Sequence, residues 1–291
     1  MKAIGYFFLL MVCIGTISCQ KEITLTNPST DSTNAGGGNI PPSTNGDLLI
    51  KSYGRSGADS NVTTYTYNSA KQLIATYNVM SANSGSTTYY GFERNATGLI
   101  IRRKQYTTSG LIPISADTSI TVYHYSSSTT PQITYSTSSI GISGFSVDDS
   151  TIYTYNTAGK LTRTESYQSS VLTGTNLSQR QVFTYDVTGN VTKLELFDFQ
   201  NGIPVLLSTN TFTYDNKTAS IGYTEAEAIV ISGQPAAIHN PTGYVATSTF
   251  APGISANFSF TYNASNRPAT YKQIVTQGTV ATTTNFTLYY Q

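Results

Sequence analysis

One short unit constrains this chain more than any other feature: Tyr153-Thr154-Tyr155-Asn156-Thr157-Ala158-Gly159-Lys160-Leu161. Strand side chains alternate with period two, so the two aromatics share one face and Thr154 takes the other. Asn bonds its own backbone and tolerates positive φ, and Gly reaches the left-handed region without steric cost. Asn156 to Gly159 therefore specify a turn, and Leu161 opens a returning strand. The unit recurs about seven times at a spacing of roughly 30 residues, the pattern of self-similar β units with variable loops. Tyr65-x-Tyr67-Asn68 leads to Leu73, and Phe183-x-Tyr185-Asp186 is followed by Gly189 and Val191. Tyr90-x-Phe92 reads as a slacker copy, with two extra residues before Gly98 and Leu99. Tyr123-x-Tyr125 runs through Ser126 to Pro131 without a Gly, and Phe212-x-Tyr214-Asp215 and Phe260-x-Tyr262-Asn263 also lack one.

Such hairpins predict an all-β fold. Asn201-Gly202 adds a further hairpin, because that dipeptide suits a type I′ turn. Short connections favour an antiparallel meander of about fifteen strands. A sheet that wide curls. The face through Tyr65, Tyr90, Tyr123, Tyr153, Phe183, Phe212 and Phe260 is too apolar to leave wet, so it is expected inside a curled sheet or barrel, with the Thr- and Ser-rich face outward. A lipid-embedded barrel is the rival, and the ending Phe286 to Gln291 resembles an outer-membrane strand. A lipid-facing band, however, needs alternate Leu and Val where this chain offers mostly Thr and Ser.

The Tyr-x-Tyr-Asn/Asp-x-x-Gly-x-Leu unit resembles the YD repeat of Rhs-like proteins. With the layout after about residue 47, and with Tyr214-Asp215-Asn216-Lys217 before a long insert, the chain is similar to an uncharacterised family of Bacteroidetes YD-repeat lipoproteins. That resemblance implies a large porin-like antiparallel sheet and no known catalytic residues.

Residues 1–19 read as a secretory signal, with Lys2 before an apolar run from Ile4 to Ile17 that is shorter than the roughly 20 residues a membrane-spanning helix needs. Thr16-Ile17-Ser18-Cys19 resembles a lipobox, with Thr16 in a place usually held by Leu, and this makes Cys19 the expected lipid attachment site. Cys13 would leave with the signal, so the mature chain could form no internal disulfide. Residues 20–46 form a tether rich in Ser, Thr, Asn, Gly and Pro, holding the domain of residues 47–291 about 30 Å from the membrane. Gln20-Lys21-Glu22 weakly resembles a surface-export signal. Asp31-Ser32-Thr33 and Asp149-Ser150-Thr151 resemble O-glycosylation sites, with Ser32 and Ser150 as acceptors in exported loops.

Little points to chemistry. Lys plus Arg total 16 against 15 Asp plus Glu, which gives no basic field for nucleic acid. Alternation splits Arg102-Arg103-Lys104 between two faces of a strand. His124 and His239 have no carboxylate or Cys at ligand spacing and read as structural or solvated. Asp148-Asp149 lacks a calcium loop, and Gly141-Ile142-Ser143-Gly144 is not a nucleophile elbow. No catalytic residue, metal or cofactor is expected. With 22 Tyr and no Trp, sugar stacking competes with core packing, and the repeat face favours the core.

The long gap between Tyr214 and Tyr262 holds one helix start. Thr224-Glu225-Ala226-Glu227 reads as a capping box, and Gly233 can end the helix. Ile229, Val230 and Ile231 are too apolar for water, so the insert is expected to fold over the aromatic face or plug one end of the sheet. The resulting expectation is a non-catalytic, lipid-anchored, monomeric envelope protein of the outer membrane, acting as a surface binding or structural module. The alternatives are a glycan-binding accessory lipoprotein and an enzyme with an unrecognised site.

Overall fold

The computed structural model describes residues 48–81, 86–109, 118–142, 145–170, 174–249 and 251–291. They form a closed antiparallel barrel of sixteen strands, one more than the repeat count suggests. In order these are β1 (Leu49–Ser56), β2 (Asp59–Tyr67), β3 (Leu73–Met80), β4 (Ser86–Arg94), β5 (Ile100–Ser109), β6 (Thr118–Tyr125), β7 (Ile133–Ile142) and β8 (Phe145–Tyr155). They continue as β9 (Leu161–Ser170), β10 (Gly174–Tyr185), β11 (Val191–Gln200), β12 (Ile203–Thr218), β13 (His239–Ser248), β14 (Ile254–Tyr262), β15 (Pro268–Gln277) and β16 (Val280–Tyr290). Each strand pairs with its sequence neighbours, and β16 returns to β1 through Leu49↔Tyr290 and Tyr53↔Thr287. Closure satisfies the ladder groups that an open sheet would leave at its edges.

The repeat turns lie at one end of the barrel, and those opened by Asn68, Asn95, Asn156, Asp186 and Asn263 share one geometry. Asn156 N–H donates to the Lys160 carbonyl, Gly159 N–H to the Asn156 carbonyl, and Asn156 Oδ1 accepts from Ala158 and Lys160. The fourth turn residue has positive φ: Gly159 at 77° and Gly189 at 91°, but also Lys71 at 60° and Asn266 at 56°. The turn thus survives loss of its Gly, at the cost of backbone strain of about 1–2 kcal/mol in each such residue. At the opposite end, Asn201 and Gly202 both have positive φ, as the type I′ turn requires.

Aligning the units on their turns corrects the reading of the slack copy. Arg94 directly precedes Asn95, as Tyr67 precedes Asn68, so there are no extra residues: Phe92 holds the first aromatic place and Arg94 the second. Every such unit then carries a bulge. Thr66 pairs with Ala75 but Tyr67 with Leu73, and the same shift falls at Arg94, Tyr125, Tyr155, Tyr185, Tyr214 and Tyr262. Three bulged Thr cover a neighbouring carbonyl with their hydroxyls: Thr162 donates to Thr154 O at 3.1 Å, Thr134 to His124 O at 3.0 Å and Thr192 to Thr184 O at 3.3 Å. Bulges increase local right-handed twist, so a ring of them helps coil a wide sheet into a closed one.

The first aromatics face inward, as expected. Phe92, Tyr123 and Phe183 are buried with Leu73, Ile100, Ile133, Leu161 and Val191, the aliphatics that open the return strands. A second cluster, with Tyr244, Phe258, Tyr271, Phe286 and Leu288, fills the arc from β13 round to β1. Tyr271 and Phe286 stack with ring centroids 4.2 Å apart. Gly54 sits against Phe286, where an added Cβ would lie 2.4 Å from the ring.

The insert between β12 and β13 carries the single helix among the described residues, α1 (Glu225–Ser232). Its capping box forms as the sequence predicts: Thr224 Oγ1 accepts from Glu227 N, Glu227 accepts from Thr224 N, and Gly233 ends the helix at φ 71°. Ile229 and Val230 join the inner cluster with side chains from β3 to β11. The insert therefore plugs the repeat-turn end. His239 begins β13.

Candidate functional site

The inner face is the first place to seek a site, because wide barrels commonly enclose a channel. Here the insert covers the mouth at the repeat-turn end, and the strand ends around it are tied to their neighbours. Five even-numbered strands carry at or near their ends a Tyr that donates to the first carbonyl of the preceding strand: Tyr67 to Leu49 (2.9 Å), Tyr125 to Ile100 (2.7 Å), Tyr185 to Leu161 (2.5 Å), Tyr214 to Val191 (2.8 Å) and Tyr290 to Pro268 (2.9 Å), whereas Tyr262 donates to the Asp215 carboxylate. Arg94 makes the same clasp with a guanidinium, donating to Leu73 O from Nε and Nη2. Burial pushes the Tyr67 hydroxyl up to about 12 and drives those of Tyr125, Tyr185, Tyr214 and Tyr290 upward as well.

The plug is wired into this ring. Glu225 accepts from Leu161 N (3.1 Å), Ala236 N (3.3 Å) and Lys160 Nζ (3.4 Å), and Glu227 pairs with Arg94 at 2.9 Å. Arg103 donates to Val230 O at 2.9 Å, which places a cation near the C-terminal end of the helix dipole. Beyond the plug, the polar inward side chains of Thr63, Thr121, Ser136, Thr164, Asn210 and Gln273 are buried. Ser136 bonds Tyr153 Oη and Asn210 bonds Tyr244 Oη. Nearer the opposite end, inward Thr88, Gln105 and Gln181 are half-buried.

The outer wall is neither uniformly apolar nor featureless. Charged side chains sit along its strands: Glu93 with Arg102 and Lys104, Glu165 with Arg163 and Arg180, and Lys193 with Glu195. The Lys104 contact holds the Glu93 carboxyl below the usual range. Arg102 and Lys104 face out while Arg103 faces in, the split that alternation requires. Direct pairing aligns Tyr289, Lys51, Thr64, Tyr77, Tyr89 and Tyr106 in one row across six strands. Tyr89 and Tyr106 stack with centroids 4.8 Å apart, and Lys51 Nζ lies 5.7 Å from the Tyr289 ring. The four outward Tyr of this row, Tyr77, Tyr89, Tyr106 and Tyr289, show that core packing does not use every Tyr.

The same wall holds a groove of about 430 Å³ across β6 to β10. Its floor is a register row, Val122↔Thr137↔Ser150↔Tyr167, flanked by Ile120 and Ser139. Pairing across four strands assembles these residues from points up to 47 positions apart, so no local motif could announce them; only the outward phase of each strand was legible.

Of the residues singled out from the sequence, Cys19 and Ser32 lie outside the described residues, as do Ser143 and Gly144. Ser150 lies within β8 facing the groove, not in a loop. His124 faces outward and stacks on Tyr135 at 4.1 Å. His239 Nδ1 meets Asn190 Nδ2 at 2.9 Å, while Asn190 Oδ1 accepts from Ile238 N and His239 N. Among the described residues no three His, Cys, Asp or Glu converge as a metal ion requires.

No protein-family model matches the chain, and no curated protein is similar to it. Among solved structures it is similar to a porin-like protein from Bacteroides uniformis, with 17% identity and a TM-score of 0.49 over 85% of this chain and 100% of that one. It is also similar to a porin-like protein from Bacteroides vulgatus, with 11% identity and a TM-score of 0.43 over 84% of this chain and 98% of that one.

Proposed function

We propose that this chain is a non-catalytic cell-envelope protein, lipid-anchored through Cys19, whose barrel stands in water and works by its outer wall and not as a pore. The observation that carries this reading is the plugged mouth: α1 occupies the interior while the ring of Tyr clasps binds strand to strand around it. The outer wall supports the same reading. A charged side chain at the middle of a lipid-facing strand costs about 2–4 kcal/mol, and this wall carries them on β4, β5, β9, β10 and β11. The YD-repeat resemblance fits a lipoprotein of this kind. A monomer at the outer membrane, tethered by residues 20–46, is the arrangement proposed.

Fractionation tests this. The wild-type protein should sediment with membranes and Cys19→Ala should be released. A chain beginning at residue 48 should remain monomeric without detergent and give no conductance in planar bilayers. If Cys19→Ala stays with the membrane while the shortened chain is soluble, the lipid attachment is wrong. A shortened chain that needs detergent or conducts ions would overturn the water-facing barrel.

A further inference from the structure

The groove on β6 to β10 has a chemistry of its own. Its lining combines six Ser and Thr residues, among them Thr137, Ser139 and Ser150, with one aromatic ring, Tyr167, two aliphatics, Ile120 and Val122, and one acid, Asp149. Among the described residues no Lys or Arg lines it. The nearest outward cations by register, Arg102 opposite Val122 and Lys104 opposite Ile120, are both already held by Glu93. We propose that this groove binds a neutral glycan, which rests on the reading of the outer wall as the working surface. A pyranose presents one apolar C–H face and a rim of hydroxyls. The ring of Tyr167 can take the first, because an aromatic face is flat and apolar, and the flanking hydroxyls both donate and accept for the second. A phosphorylated or carboxylated ligand would meet no cation here, and a purely apolar one would strip water from hydroxyls it cannot satisfy. A volume of about 430 Å³ lies in the range of small-ligand sites, about 300–1,000 Å³, and suits a short stretch of sugar units. The wall also continues past Lys104 to Tyr106, Tyr89 and Tyr77, so a longer chain leaving the groove would meet further half-buried rings.

Native gels cast with dextran, mannan, xylan or polygalacturonate test this with the chain of residues 48–291. At least one neutral polysaccharide should retard the protein, and polygalacturonate should not. Tyr167→Ala should weaken that retardation at least tenfold, and Ser150→Trp, which fills the groove without removing Tyr167, should abolish it, with both variants keeping the wild-type melting temperature. If either unfolds, Thr137→Val and Tyr167→Phe at unchanged stability replace them, the first expected to weaken retardation and the second to preserve it. No retardation by any neutral polymer, retardation by polygalacturonate alone, or retardation indifferent to these variants would overturn the proposal. So would a hexose mass on Ser150 in protein from the native host, because the groove would then hold the chain's own sugar. None of these failures touches the water-facing barrel, whose test is solubility and conductance.

Discussion

The hydroxyl of Tyr185 and the ring that carries it do separate jobs, and the repeat records the difference. The first aromatic place accepts either Tyr or Phe, as at Tyr123, Phe92, Phe183, Phe212 and Phe260, because it only has to fill the core. The second place holds Tyr67, Tyr125, Tyr155, Tyr185, Tyr214 and Tyr262, and otherwise Arg94, all side chains with a polar hydrogen. Tyr185→Phe keeps the buried ring and leaves the Leu161 carbonyl without its 2.5 Å partner. A net loss of about 1 kcal/mol is expected, read as a lower melting temperature with unchanged secondary structure. Phe183→Tyr, by contrast, adds a hydroxyl to a buried place with no clasp to make and should destabilise as well. The recurrence of Tyr at the second place was legible in the sequence; its role as a donor was not, because the acceptor, Leu161, belongs to the unit before.

Helix α1 divides along the same line between local and distant contacts. Its capping box and Gly233 stop were readable because they are settled within ten residues. The contacts that hold it in the barrel join Glu227 to Arg94 and Val230 to Arg103, more than a hundred positions away, and no pattern in the insert names those partners. Glu227 serves both sets, so two substitutions separate them. Glu227→Gln can still reach back to Thr224 N but loses the charge opposite Arg94, whose side chain is 7% exposed. Glu227→Ala loses both. Removing a cap costs about 1 kcal/mol, and leaving a buried Arg without its counter-charge costs about 3–5 kcal/mol at full burial. Both variants should therefore melt well below wild type, Ala by about 1 kcal/mol more than Gln. Replacing residues 226–235 with a Gly-Ser linker should go further, exposing the inner cluster around Leu161 and Phe183 and increasing binding of a hydrophobic dye. Equal melting temperatures for wild type and both Glu227 variants would mean that the plug does not stabilise the barrel.

At the scale of the molecule, alternation predicted an aromatic inside and a hydroxyl-rich outside, and a wide meander predicted curling; whether the sheet closed was not legible. Closure depends on β16 meeting β1, a pairing of residues some 240 positions apart that local spacing cannot specify. Tyr290 shows how the last strand nevertheless obeys the repeat, since it ends an even-numbered strand and clasps Pro268. The clasps thus recur at six of the eight strand pairs around the mouth, and the five made by Tyr should fail together in alkali. An unfolded tyrosine ionises near pH 10, whereas burial raises Tyr67 to about 12 and its ring partners higher still. The folded state holds these protons more tightly than the unfolded state, so their contribution is fully present below about pH 10 and is lost as pH rises through 12. Absorbance at 295 nm, which reports phenolate, should therefore include a steep step that coincides with the loss of β circular dichroism in that window. Adding Tyr67→Phe, Tyr125→Phe and Tyr185→Phe together should shrink that step by the three rings removed, while the remaining signal still appears only with unfolding. A smooth titration of all tyrosines with the circular dichroism unchanged would mean that water reaches the ring, and the mouth could not then be closed.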